Sequence, residues 1–237
     1  MGNPWFQFKK FRIEQENSAL KVGTDGVLLG AWCEVANTKQ ILDVGTGTGL
    51  IALMLAQRSE AKIHAVEING EACKDALNNF QKSPWAGRLK LYHADFNYFS
   101  QNSSSKYDLV VSNPPYFEKS LRSADPASAL ARHDTSLSFL QLITGSKKLL
   151  TENGRLAVVL PVGTLDDFRE TARLAGFYLY RKTQVIPKTG KAPKRILLEF
   201  SVSVVYPVVD ELFIMQKQDK YSEKYVNLTK EFYLNFL

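Results

Sequence analysis

Gln40-Ile41-Leu42-Asp43-Val44-Gly45-Thr46-Gly47-Thr48-Gly49 is a short apolar run that breaks into three alternating glycines, and Leu50 to Gln57 follows with the pattern of a helix. A buried strand, a glycine-rich turn and a helix in that order mark the start of an α/β fold. Glycine lets the backbone approach a ligand closely, and the helix N-terminus that follows favours electronegative groups. A cofactor loop is the leading interpretation, and a packing turn the competing one. The turn spells G-x-G-x-G, and Leu50 stands where the dinucleotide fingerprint G-x-G-x-x-G/A has its third small residue, which argues against NAD.

Two further strands lie downstream. Lys62-Ile63-His64-Ala65-Val66 ends at Glu67, about 20 residues beyond the glycine turn, where dinucleotide-type folds place an acid on ribose hydroxyls. The same carboxylate also suits the start of a helix at Asn69-Gly70. Leu89-Lys90-Leu91-Tyr92-His93 ends at Ala94-Asp95-Phe96. Ligands of a parallel sheet gather at the carboxyl ends of its strands, so Asp95 is positioned to accept from an adenine amino group, with Phe96 beside the ring. A helix-capping role for Asp95 is the alternative.

Val110-Val111-Ser112-Asn113-Pro114-Pro115-Tyr116 is a β-branched run ending in a rigid turn, because proline fixes its own φ and restricts the residue before it. The Asn113 side-chain oxygen and the Pro114 carbonyl are able to accept both hydrogens of one planar amino group, while Tyr116 offers a stacking face. Such an amine is a weak nucleophile, and two acceptors on its hydrogens favour an attacking geometry without a strong base. Taken alone, the turn also fits a simple strand terminator.

Residues 117–132 show no period and include Arg122, and Arg132 next to His133, as a cationic rim or a solvated loop. Asp134-Thr135-Ser136 then reads as the cap of a helix containing Leu137, Leu140 and Ile143. Asn153-Gly154 leads into a strand from Arg155 to Leu160, and Leu165 to Ala175 is helical in pattern. Phe177 to Val185 and Ile196 to Tyr206 are expected as two strands, joined by a loop bearing Lys188, Lys191, Lys194 and Arg195. That loop is a phosphate clamp or a solvated turn. Tyr221, Tyr225, Leu228 and Phe232 recur at helical spacing.

Before the glycine turn, Phe6-Gln7-Phe8-Lys9-Lys10-Phe11-Arg12-Ile13 alternates like one half-exposed strand, with Lys9, Lys10 and Arg12 either contacting nucleic acid or merely solvated. Lys21-Val22-Gly23-Thr24-Asp25-Gly26 reads as a polar loop feeding a buried helix through Val27 to Trp32, with Thr24 or Asp25 as a possible cap. The 237 residues carry a net charge of +6, which favours a polyanionic partner without demanding one. The absence of a signal-peptide pattern or a bilayer-length apolar run gives the expectation of a cytoplasmic protein. Cys33 and Cys73 are far apart and His64, His93 and His133 are scattered, so neither a disulfide framework nor a metal site is expected.

Together these residues resemble the class I S-adenosylmethionine-dependent methyltransferases over most of the chain. The resemblance implies an α/β Rossmann-like fold with a seven-stranded, mostly parallel sheet, an antiparallel last strand and helices on both faces. It also implies S-adenosylmethionine as cofactor, no metal, and Asn113, Pro114, Pro115 and Tyr116 as the tetrad that methylates a planar nitrogen. The cofactor residues implied are Lys21, Thr24, Asp25, Asp43, Gly45, Gly47, Gly49, Glu67, Asp95, Phe96 and Asn113. Within the class, the stretch Lys21 to Trp32, Ala131-Arg132-His133, Pro193-Lys194-Arg195 and Leu228 to Leu234 are similar to the bacterial tRNA(Val) adenine-37-N6 methyltransferases. That similarity implies tRNA as substrate, with Lys9, Lys10, Arg12, Arg132, His133, Lys188, Lys191, Lys194 and Arg195 as candidate RNA contacts.

Three rivals stand beside it. The tetrad also resembles that of protein glutamine methyltransferases, whose helical N-terminal domain has no room before Ile41, and that of DNA adenine methyltransferases, whose target-recognition insert is not visible. The third is an RNA-binding protein without catalysis. One domain is expected over residues 1–237, as a monomer: residues 1–38 form a strand-and-helix extension, 39–206 the Rossmann-like core and 207–237 a C-terminal helical segment.

Overall fold

The computed structural model describes residues 3–115 and 137–236. Among these, eight strands form one sheet: β3 (Gln40–Val44), β4 (Lys62–Glu67), β5 (Leu89–His93), β6 (Tyr107–Ser112), β7 (Leu150–Pro161), β8 (Tyr178–Lys188), β9 (Arg195–Ser201) and β10 (Val208–Met215). Their spatial order is β10-β8-β9-β7-β6-β3-β4-β5. All neighbours pair in parallel except β9, which is antiparallel to both β7 and β8. A separate hairpin, β1 (Trp5–Gln7) and β2 (Arg12–Glu14), precedes the sheet.

The helices are α1 (Thr24–Trp32), α2 (Leu50–Arg58), α3 (Gly70–Lys82), α4 (Phe96–Asn102), α5 (Phe139–Leu149), α6 (Leu165–Leu174) and α7 (Glu223–Thr229). Successive side chains of a strand point to opposite faces, and the central strands are apolar at nearly every position, so they feed two cores at once. Ile41, Leu109, Val111, Ala157 and Val159 pack with α1 and α2 on one face. Their chain neighbours Leu42, Val110, Leu156 and Val158 pack with α4, α5 and α6 on the other. Helices therefore cover both faces, as the strand composition requires.

Several boundaries differ from those expected. The sheet has eight strands rather than seven, because Val208–Met215 continues as an edge strand beside β8 where a helical segment was expected. Of the helical spacing from Tyr221 to Phe232, only Glu223–Thr229 is helix; Tyr221 instead bridges back to Met215. Phe6 to Ile13 is a hairpin and not one strand, turned at Phe8–Phe11, whose rings stack at 4.7 Å. Helix α1 begins at Thr24 with Gly23 as its cap residue and no side-chain cap bond. The proposed cap at Asp134-Thr135-Ser136 lies outside the described residues; α5 is capped by Ser138, in a reciprocal box with Gln141, and Leu137 precedes the helix.

One buried ionic cluster ties α1 to the sheet. Glu199 on β9 is fully buried and accepts from Arg155 at 2.7 Å and Arg181 at 3.0 Å. Arg181 stacks on the Trp32 ring at 3.7 Å and donates to the Trp32 carbonyl, and Arg155 donates to the carbonyl of Glu34. Arg58 donates to the carbonyls of Gly30 and Cys33. Three guanidiniums thus meet carbonyls at the end of α1, where the helix dipole is negative. Burial pushes the Glu199 carboxyl up, opposed by the two arginines. Removing one partner of a buried pair leaves the others uncompensated, so Glu199→Ala should lower unfolding free energy by about 3 kcal/mol, read from the denaturant midpoint.

Candidate active site

The strand order reverses between β3 and β6: β4 and β5 follow β3 to one side, while β7 follows β6 to the other. Side chains and helices diverge at such a switch point and leave a crevice beyond the carboxyl ends of the strands. A cavity of about 310 Å³ lies there, at the lower end of the roughly 300–1,000 Å³ of small-molecule sites. Its walls come from the ends of four strands. Val44 ends β3, with Gly45 and Gly47 beyond; Val66 and Glu67 end β4, with Ile68, Asn69 and Ala72 beyond; Ala94, Asp95 and Phe96 follow β5; Ser112 ends β6, with Asn113 and Pro115 beyond. Ser18, Ala19, Leu20 and Leu137 complete it.

The glycine turn is open where the cavity meets it. Gly45 and Gly47 have φ of +70° and +56°, and a Cβ built on either meets nothing within 4 Å. Gly49, at +82°, serves packing instead, since a Cβ there would lie 2.5 Å from Phe80 and keep α2 and α3 apart. Glu67 holds the turn in shape, accepting from Gly47 N–H at 2.9 Å and Asn69 N–H at 2.8 Å. A carboxylate has about four acceptor positions, so Glu67 keeps capacity for a diol. Behind the turn, Asp43 is fully buried and accepts from Thr46 Oγ1 at 2.6 Å and Ala52 N–H at 3.1 Å through Oδ2.

On the opposite side, the Ser112 hydroxyl donates to the Val44 carbonyl at 2.9 Å and locks the end of β6 to the end of β3. Asn113 leaves that lock directly into the cavity wall, with Pro114 buried beneath it and Pro115 exposed. Asp95 lines the cavity and also caps α4, accepting from Tyr98 N–H at 2.9 Å.

The other candidates lie elsewhere. Lys21 donates its ammonium to the carbonyls of Gln15 and Glu16, Thr24 opens α1, and Asp25 pairs with Arg195 at 2.8 Å; none of the three lines the cavity. Lys9 donates to the Phe236 carbonyl, Lys10 is exposed, and Arg12 sits over the Trp5 ring and pairs with Glu14. Lys188 pairs with Asp219 at 2.8 Å, while Lys191 and Lys194 are exposed. Tyr116, Arg132 and His133 lie outside the described residues. Sequence reasoning missed Ser18, Ala19 and Leu20, which have no periodicity, and Asn69 as a wall residue, although Asn69-Gly70 carries a helix-start signal.

The family model for the methyltransferase small domain matches residues 20–164. A curated relative from Bacteroides fragilis, named tRNA1(Val) (adenine(37)-N6)-methyltransferase, is 45% identical over 235 residues, covering 99% of each chain. A relative of the same name from Parabacteroides distasonis is likewise 45% identical over 99% of both chains. Among solved structures, a predicted O-methyltransferase from Agrobacterium tumefaciens superposes with a TM-score of 0.71 at 17% identity, over 88% of this chain and 96% of that one. This last likeness is one of fold.

Burial pushes the Asp43 carboxyl from 3.8 up to about 7, against the pull of its Thr46 and Ala52 hydrogen bonds. Because the folded value is the raised one, the associated stability is full below pH 3.8 and is lost as pH rises through about 7. Wild-type stability measured relative to Asp43→Asn should therefore fall across that window; a difference independent of pH would contradict a protonated Asp43.

Proposed function

The chain belongs to the small-domain methyltransferase family and to the branch of the tRNA1(Val) (adenine(37)-N6)-methyltransferases, and from that premise we propose that it transfers a methyl group from S-adenosylmethionine to the exocyclic nitrogen of adenine in tRNA, at the position next to the anticodon. The observation that carries this reading is the junction at Ser112. It brings Asn113 and Pro115 into the wall of the same cavity as Gly45, Gly47 and Glu67, which are the groups suited to a nucleoside cofactor. The open space beside Gly45 and Gly47 and the spare acceptor capacity of Glu67 fit such a molecule.

S-adenosylmethionine, when bound, would supply a methyl group activated by a sulfonium, leaving S-adenosylhomocysteine as the product. Glu67 would bind the ribose hydroxyls, the unhindered backbone at Gly45 and Gly47 would let the cofactor approach the turn, and Asp95 with Phe96 would hold its adenine. The target adenine enters as a flipped base, since its amino group is unreachable within a stack. Asn113 Oδ1 and the Pro114 carbonyl accept its two N–H bonds and orient the nitrogen lone pair towards the methyl, with Tyr116 as the stacking face. Catalysis by this set is positioning and electrostatic, with no strong base among the proposed contacts.

The RNA contacts we propose follow the carboxyl edge of the sheet. Strand β8 runs parallel to β7, so Lys188 and the loop to Arg195 emerge on the same edge as Asn113. They stand three strands away, about 15 Å at the usual inter-strand spacing. The Asp25–Arg195 pair anchors that loop to the first turn of α1. Cations there suit the phosphates of the strand whose base is flipped. A monomer acting in the cytoplasm is the corresponding proposal for assembly and location.

Label from S-adenosylmethionine should appear in unmodified bacterial tRNA as N6-methyladenosine beside the anticodon, mapped by nuclease digestion and mass spectrometry. Asn113→Ala should lower kcat by at least about a hundredfold while leaving cofactor affinity near wild type. Equal losses of both would remove Asn113 from its assigned role, and label in protein glutamine or DNA instead would replace the substrate. The clamp has its own readout. Lys191→Ala with Lys194→Ala should weaken tRNA binding across sequences and flatten the salt dependence by roughly one logarithmic unit per cation removed.

A further inference from the structure

Between β2 and α1 the chain crosses the cavity with no helix or strand, and Ser18, Ala19 and Leu20 form part of the wall on the way. Backbone groups outside a ladder take their partners from turns, side chains or water. Its two ends are closed locally: Gln15 Oε1 accepts from Val22 N–H at 2.7 Å, and Lys21 donates to the carbonyls of Gln15 and Glu16. Its middle depends on a different element. Asp75 on α3, only 3% exposed, accepts through Oδ2 from Asn17 N–H at 3.1 Å, Ser18 N–H at 2.8 Å and Ser18 Oγ at 2.8 Å, and through Oδ1 from Asn17 Nδ2 at 2.7 Å.

Among the described residues, Asp75 makes no ion pair, and its buried carboxyl group is held by these four hydrogen bonds. A buried carboxylate that answers to dipoles alone is costly unless every acceptor is used in a fixed geometry. That geometry also sets a distance. Ala72, three residues earlier on the same helix, lines the cavity itself, so the rise of about 4.5 Å along α3 spaces the strap anchor from the wall. Asp75 does not line the cavity.

We propose that Asp75 is a positioning residue for S-adenosylmethionine: its four hydrogen bonds to Asn17 and Ser18 hold the Ser18–Leu20 strap against the cofactor cavity. The inference rests on the cavity being the cofactor site, as argued above. It separates binding from chemistry, because the strap covers the cofactor and takes no part in clamping the target amine.

The test is calorimetric titration of S-adenosylmethionine into wild type, Asp75→Ala and Asp75→Asn, followed by steady-state kinetics with tRNA. Asp75→Ala should bind the cofactor at least about tenfold more weakly, with KM for the cofactor rising in proportion. Its kcat at saturating cofactor and its KM for tRNA should stay within about twofold of wild type. Asp75→Asn should recover most of the affinity, since the carboxamide oxygen still serves the Asn17 and Ser18 donors and the Asn17 amide turns to accept from the new NH2. If Asp75→Ala does not fold, Asn17→Ala, at an exposed residue outside the cavity wall, should weaken cofactor binding by about threefold. Wild-type affinity in a folded Asp75→Ala, or in Asn17→Ala when Asp75→Ala does not fold, would overturn the proposal. So would parallel losses of affinity and kcat in Asp75→Ala with no recovery in Asp75→Asn. Failure of the wild type to bind the cofactor would instead overturn the assignment of the cavity.

Discussion

Two hydrogen bonds to one carboxylate set the geometry of this molecule's cavity: Glu67 accepts from Gly47 at 2.9 Å and from Asn69 at 2.8 Å. Parallel strands stop together at one edge, and the backbone groups beyond them lose their ladder partners there. Val66 meets part of that need, its carbonyl accepting from Gly45 and Thr46, and Glu67 meets the next part. The glycine turn, the end of β4 and the start of α3 are thereby joined through one side chain. Gly45 and Gly47 keep positive φ in the open, so these two positions have no side-chain packing to hold their shape.

Helix α3 extends this logic along its length. Its buried face includes Ala72, Asp75, Ala76, Asn79 and Phe80, an ordinary amphipathic spacing in which Asp75 and Asn79 are the polar positions. Asn79 accepts from Glu14 N–H and donates to the carbonyls of Glu14 and Thr48, joining the N-terminal hairpin to the glycine turn. Asp75 does the same for the strap. The core side of one helix therefore organises three segments, each of which lacks a regular hydrogen-bonding partner at the point of contact.

How much was legible in the sequence follows from which forces act locally. The central strands β3, β6 and the Arg155–Leu160 part of β7 were readable because burial on both faces demands continuous apolar runs, and the glycine turn because positive φ selects glycine; β7 itself starts earlier, at Leu150. Glu67, Asp95 and Asn113 were readable because strand ends deliver them to one edge. Val208–Met215 was not, since an edge strand is specified by its pairing with β8, a partner distant in sequence, and its residues up to Glu211 are exposed. The strap was not legible either: nothing in Asn17-Ser18-Ala19-Leu20 signals a wall until Asp75 is seen to hold it. Lys21, Thr24 and Asp25 show the reverse case, a motif whose residues fold into local bonds and the Arg195 pair and do not reach the cavity wall.

Two buried acids show how charge is distributed relative to the cavity. Glu199 lies among Arg155 and Arg181 in the cluster that ties α1 to the sheet, where its partners are cations. Asp43 lies behind the glycine turn with a hydroxyl and one amide as partners, and its Oδ1 has none among the described residues. A carboxyl so poorly solvated is held by its surroundings against its own preference, which is tolerable only because the apolar cores on both faces fix β3 around it. The buried acid away from the cavity is thus matched by cations, and the one behind the open turn only by neutral partners among the described residues. Rigid strands supply the floor of the cavity, and a few side-chain hydrogen bonds, at Glu67, Asp75 and Ser112, decide the spacing of everything above it.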